Sequence, residues 1–210
     1  MTSYNLTLSN NKQKYETLLT ESILEYEKYF NSKLKYSPCI IFLKSRREFN
    51  DICGRITESW VTGSNIQNLI FMMEESVYEK ESSKKFDPKN YPLTIRHELC
   101  HIFYNQLARK SQPLWLNEGL ALYLSGQIKL RLKPEKFSEF LLFDEKNSIG
   151  DKTVYKEAGF VIEKLVSKFG KEKLLKLITS CRQVNDNNEF LKLFKTIYGF
   201  ELSYNNINKL

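Results

Sequence analysis

The chain has 210 residues, enough to bury one real core, and its 41% hydrophobic content, with 14 Phe and 12 Tyr, excludes a disordered chain; the mean hydropathy of -0.45 then reflects an exposed Lys, Glu and Asn surface. The formal net charge is +7, but Lys and Arg alternate with Glu along helical faces and form no basic block interleaved with aromatics, which argues against a nucleic-acid partner. No apolar run is long enough for a membrane span, and the start Met1–Leu8 lacks a basic stretch followed by an apolar one, so the expectation is a cytoplasmic protein without a membrane partner.

From Lys14 to Phe30, Leu18, Leu19, Ile23, Tyr26 and Phe30 recur on one side of an amphipathic helix. Tyr36-Ser37-Pro38 breaks that pattern, and Cys39–Leu43 is a short, wholly apolar run that suits a buried strand. Ser45 with Glu48 three residues on is a capping-box signature for a short helix that Gly54 can close. Asn68–Met73 reads as a second strand, whose edge is open to two uses: ordinary sheet membership, or pairing with an extended peptide. Within the polar stretch from Glu74 to Asn90, the part from Glu79 to Asn90, rich in Lys, Glu and Ser, is expected to be a mobile surface loop.

A helix is expected from Pro92 to about Lys110, with the proline tolerated in its first turn. Beyond Pro113 the expectation is helix throughout: Leu114 to Ser125 stopped by Gly126, Pro134 to Phe143, Thr153 to Phe169 stopped by Gly170, Lys171 to Cys181, and Asn188 to Tyr198 stopped by Gly199. Strands early and helices late define an α+β class. Cys39, Cys53, Cys100 and Cys181 are dispersed, without a CxxC pair, and are expected as buried free thiols, Cys100 in core packing.

Chemistry enters with the only two histidines, four residues apart in His97-Glu98-Leu99-Cys100-His101. On a helix this spacing places both imidazoles one turn apart, about 6 Å along the axis and within about 40° in direction, so both can grip one ion. Glu98 lies about 100° from His97 and about 60° from His101, on the same flank, where its carboxylate can act as a base without binding the metal. With histidine this scarce, a random chain of this composition contains the pattern with a probability on the order of one in a thousand. The competing reading, a helical binding protein with a coincidental motif, is tested by a third ligand. Zinc held by two neutral imidazoles and one carboxylate keeps a fourth position for water. Glu118, in Trp115-Leu116-Asn117-Glu118-Gly119-Leu120-Ala121, is the candidate, because a lone carboxylate interrupting an apolar helix is costly unless something such as a metal compensates it. A helix running to Lys110 travels about 13 Å beyond His101, and the seven residues 111–117 can cover the return.

His97-Glu98-Leu99-Cys100-His101 followed by this Trp-Leu-Asn-Glu-Gly segment resembles the gluzincin metallopeptidases, particularly the compact peptidase MA-like group. Sixteen residues separate His101 from Glu118, similar to the compact members. The resemblance extends over roughly Pro38 to Tyr204, with Tyr155-Lys156-Glu157-Ala158-Gly159-Phe160 similar to the family's downstream helix. It implies a thermolysin-like catalytic core, a single metallopeptidase-like domain over 1–210: a helical segment 1–37, a sheet with the histidine helix over 38–110, and an all-helical part over 111–210 carrying the third ligand. It also implies a zinc hydrolase of peptide or protein substrates with a strand-bordered cleft, His97, His101 and Glu118 as zinc ligands and Glu98 as the base that moves the proton to the departing amine. Tyr155 is the candidate oxyanion donor, with a core role for it open and Tyr104 and Tyr123 as rivals. Relatives carry an acid one turn after the third ligand, where this chain has Leu122. Loss of such an orienting partner lowers metal affinity or activity about 10- to 100-fold, so an inactive metal-binding relative serving as an interaction or regulatory module is the alternative.

Overall fold

The computed structural model describes residues 12–110, 112–141 and 154–210. It is an α+β protein, mostly helical, that divides into two compact units, residues 1–102 and 103–210.

In the first unit, α1 (Lys12–Phe30) precedes a three-stranded sheet formed by β1 (Cys39–Leu43), β2 (Gly63–Ile66) and β3 (Leu69–Met73) in the order β1-β3-β2. α2 (Arg46–Cys53) follows β1 and precedes β2, and β1 pairs in parallel with β3, Ile41 opposite Phe71. The ends of α2 follow the sequence: the Ser45 side chain accepts the Glu48 amide, and Gly54 closes the helix. The expected strand at 68–73 is thus the middle of the sheet and not an edge, which its continuous apolar character reflects. The edges are β1 and β2; β2 is antiparallel to β3 and joined to it through Gln67 and Asn68, with Gln67 at φ 54°. Gly63-Ser64-Asn65-Ile66 lacks an apolar alternation and gives no strand signal of its own; its ladder to β3 makes it one.

The stretch after β3 is not a free loop. A 3-10 turn at Glu75–Val77 leads into α3 (Tyr78–Glu81), and the rings of Tyr78, Phe86 and Tyr91 pack on one another at 5.3 to 5.7 Å. The Tyr91 hydroxyl donates to the Met73 carbonyl at 2.7 Å, and the Phe86 amide donates to Glu79. Aromatic burial overrides the polar composition between them. α4 runs from Asn90 to Ala108, starting two residues before Pro92 and stopping at Arg109, which takes φ 58°. Cys100 is core, as expected, and Cys181 is buried, but Cys39 is exposed and Cys53 half-buried, because the first strand residue stands at the open end of β1.

The second unit has no strand among the described residues. α5 (Leu114–Ser125) packs on α6 (Val154–Phe169), followed by α7 (Lys171–Ser180), α8 (Asn187–Tyr198) and α9 (Tyr204–Asn208), with 3-10 turns at Gln127–Leu130 and Cys181–Gln183. α5 and α6 approach at two glycines: a Cβ on Gly119 would lie 2.6 Å from the Ala158 carbonyl oxygen, and one on Gly159 would lie 2.9 Å from the Leu122 Cβ. The helix expected at Pro134–Phe143 does not form over the described residues 134–141. Its amides are taken instead by side chains: Ser138, Glu139 and Phe140 donate to the Glu157 carboxylate at 2.8 to 3.0 Å, Phe137 to Asn208, and Leu141 to the Tyr204 hydroxyl. Side-chain acceptors from distant helices replace the i−4 carbonyls. Leu142, Phe143, Thr153 and the start Met1–Leu8 lie outside the described residues.

Candidate metal centre

The histidine helix is fixed on α1 before any ligand is considered. Arg96, next to His97, forms an ion pair with Glu25 at 2.8 Å, donates to the Ser22 hydroxyl, and lays its guanidinium over the Tyr26 ring. The Tyr26 hydroxyl donates back to the Arg96 carbonyl, and burial holds this phenol well above its usual range. Leu99, Cys100 and Ile95 are buried, so the helix has both an anchored polar flank and an apolar one.

His97 and His101 are both buried, their rings 4.7 Å apart and nearly perpendicular, with the two Nε2 atoms facing each other at 3.0 Å. Two nitrogens about 2.05 Å from a tetrahedral zinc stand about 3.3 Å apart, close to this separation. Glu118, half-buried on α5, completes the set: one ligand atom from each of His97, His101 and Glu118 lies within 4.8 Å of the other two. Two imidazole nitrogens and one carboxylate oxygen facing one another suit a divalent metal ion, and this donor set fits one. The three expected ligands are therefore brought together.

Glu98 is buried on the neighbouring stripe of α4, with its side chain against Gly63 of β2. The rival tyrosines lie outside the three-ligand group. Tyr104 is fully buried, its hydroxyl donating to the Gln112 carbonyl at 3.1 Å and bonding the Cys181 thiol, which burial pushes up to about 11 against the lowering effects of Lys110 and Tyr104. Tyr123 is half-buried, its phenol pushed up by burial and then by Glu163. Tyr155 stands half-buried in the first turn of α6, close enough to Arg131 for the two to interact electrostatically. It is not part of the three-ligand group.

Leu122, one turn after Glu118, is buried against Gly159 of α6. That position is given to the packing of α5 on α6. Three residues that shape the site were not expected from sequence: Arg96, Gly119 and Gly63. An arginine beside a ligand histidine, a glycine beside the third ligand and a glycine in a polar stretch each have commoner surface, helix-stop or turn meanings, so only the contacts reveal their roles.

Fold and site together define a mostly helical α+β protein with a His-His-Glu group able to hold a metal ion. No protein-family model, curated protein or solved structure matches the chain.

Proposed function

We propose that this protein is a zinc-dependent metallopeptidase of the gluzincin type, with a thermolysin-like core, and one observation carries the reading: His97, His101 and Glu118 converge on a common point while Glu98 follows His97 on the same helix. His97, His101 and Glu118 would hold the zinc. Bound there, zinc would polarise a scissile carbonyl and make a water acidic enough to lose its proton near neutral pH. Glu98 accepts that proton and passes it to the departing amine, so one carboxylate acts as base and then as acid. Tyr155 is the proposed hydrogen-bond donor to the carbonyl oxygen as charge grows on it. An unchanged rate in Tyr155→Phe would assign that tyrosine to packing near Arg131.

Strand β2 supports a peptide substrate. It is one of the two edges of the sheet, it is antiparallel to β3, and its first residue touches Glu98, so an extended peptide added to that edge lies along the base. Protein purified without added zinc should contain one equivalent of it. A peptide library should then be cleaved by the zinc-loaded chain, spared after chelation, and spared by zinc-loaded Glu98→Gln.

A second reading is favoured by Leu122. Its commitment to α6 takes away the turn that would carry a ligand-orienting acid, which suits a metal-binding protein that is catalytically weak or inactive and works as an interaction module. Stoichiometric zinc with no cleavage anywhere in the library would select this reading. Among the described residues no helix is long and apolar enough to cross a membrane.

A further inference from the structure

Gly63 is a glycine without a conformational reason. It lies within β2 and is absent from the glycines at positive φ, so its backbone suits any residue. Its surroundings give the reason. A Cβ there would lie 2.9 Å from Thr94 Cγ2, 3.0 Å from Glu98 Oε1 and 3.2 Å from Glu98 Cγ. Thr94 and Glu98 are one turn apart on α4, so the two side chains straddle the bare α-carbon.

Neither backbone is free to withdraw. Gly63 pairs with Met72, the preceding Thr62 carbonyl accepts the Met73 amide at 2.9 Å, and the Thr62 hydroxyl meets that of Tyr78. On the other side α4 is clamped by Arg96 to Glu25 and Ser22, and by Tyr91 to β3. What can yield to a side chain at 63 is the far end of Glu98.

We propose that Gly63 is a positioning residue for Glu98: the side-chain-free point on the edge strand is the slot that holds the Glu98 carboxylate in place, and a methyl group there displaces it while the fold survives. This inference rests on the reading of Glu98 as the base, and its test separates the two. The experiment uses the full zinc-loaded chain in a Thr94→Ser background, which removes the second contact and leaves Glu98 as the group a new methyl meets. Adding Gly63→Ala should keep one equivalent of zinc, lower kcat at least tenfold on a cleaved library peptide and leave KM within about twofold. An unchanged kcat in Gly63→Ala overturns the inference and leaves the peptidase reading intact.

A second readout needs no substrate. The melting temperatures of Gly63→Ala, Glu98→Ala and the double variant, each in the Thr94→Ser background, should be non-additive, the alanine at 63 costing less once Glu98 is truncated. If the parent cleaves nothing, the peptidase reading fails and this cycle decides alone: non-additivity supports the seat for Glu98, and additive shifts overturn it.

Discussion

Two buried glutamates, one near the start of each of two helices' apolar cores, are held in opposite ways. Glu157 on α6 is 5% exposed and gives its carboxylate oxygens to the backbone amides of Ser138, Glu139 and Phe140. Glu98 on α4 is 7% exposed and lies along the bare α-carbon of Gly63, one residue from a histidine whose ring faces a second. Burying a carboxylate is costly in both places. At Glu157 the cost is offset by hydrogen bonds that fix an irregular segment, so that residue is architectural. At Glu98 the neighbours are the bare α-carbon of Gly63 and a histidine pair able to hold a metal ion, and the function proposed above gives this carboxylate the task of proton transfer. Burial alone does not separate these roles; what touches the oxygens does.

Substitution at each glutamate should break the comparison cleanly if it is right. The largest effect is expected for Glu98→Gln: zinc content by metal analysis stays at one equivalent while hydrolysis falls by about 10²- to 10⁴-fold, the range for a general base. Normal turnover in that variant would place Glu98 with Glu157 as a structural residue. Glu157→Ala should do the reverse, leaving metal content unchanged but destabilising the fold by about 2–4 kcal/mol in denaturant unfolding, because three backbone amides, that of buried Phe140 among them, lose a charged acceptor. If Glu157→Ala lost zinc at constant stability, the division of roles would be wrong.

Two smaller effects sharpen the scale. Gly119→Ala, beside the third ligand, should cost about 1–3 kcal/mol through overpacking against the Ala158 carbonyl, with a matching fall in melting temperature. Ser45→Ala removes a side chain that accepts a single amide, that of Glu48, and should cost about 1 kcal/mol. Glu157→Ala exceeding Ser45→Ala severalfold would confirm that the number of captured amides, not burial as such, sets the architectural contribution.

The parts legible in the sequence are those governed by local chemistry. Cys39–Leu43 forms β1 over those residues because an apolar, β-branched run favours a strand, but β1 lies at an edge of the sheet with only Leu43 buried, not in the interior where a buried strand was expected. Ser45, Glu48 and Gly54 delimit α2 because capping is decided within a turn of chain. His97, Glu98 and His101 share one side of α4 because helical spacing dictates it, and the apolar context of Glu118 marks it for a partner. Where the sequence misleads, a distant group intervenes. Gly63–Ile66 becomes a strand only by its ladder to β3, and residues 134–141 are withheld from a helix by Glu157, Asn208 and Tyr204. The stretch after β3 is ordered by rings more than ten residues apart rather than by its own composition.

By itself, then, the sequence determined the histidine helix, the identity of three candidate ligands and the α+β class, since each follows from periodicity or from a side chain whose burial needs compensation. Only the tertiary structure decided that Leu122 serves helix packing, that β3 is the middle strand with β1 and β2 at the edges, and that Gly63 lies beneath Glu98. These depend on contacts between segments far apart in the chain, and no local pattern encodes which surfaces two packed elements will present to each other.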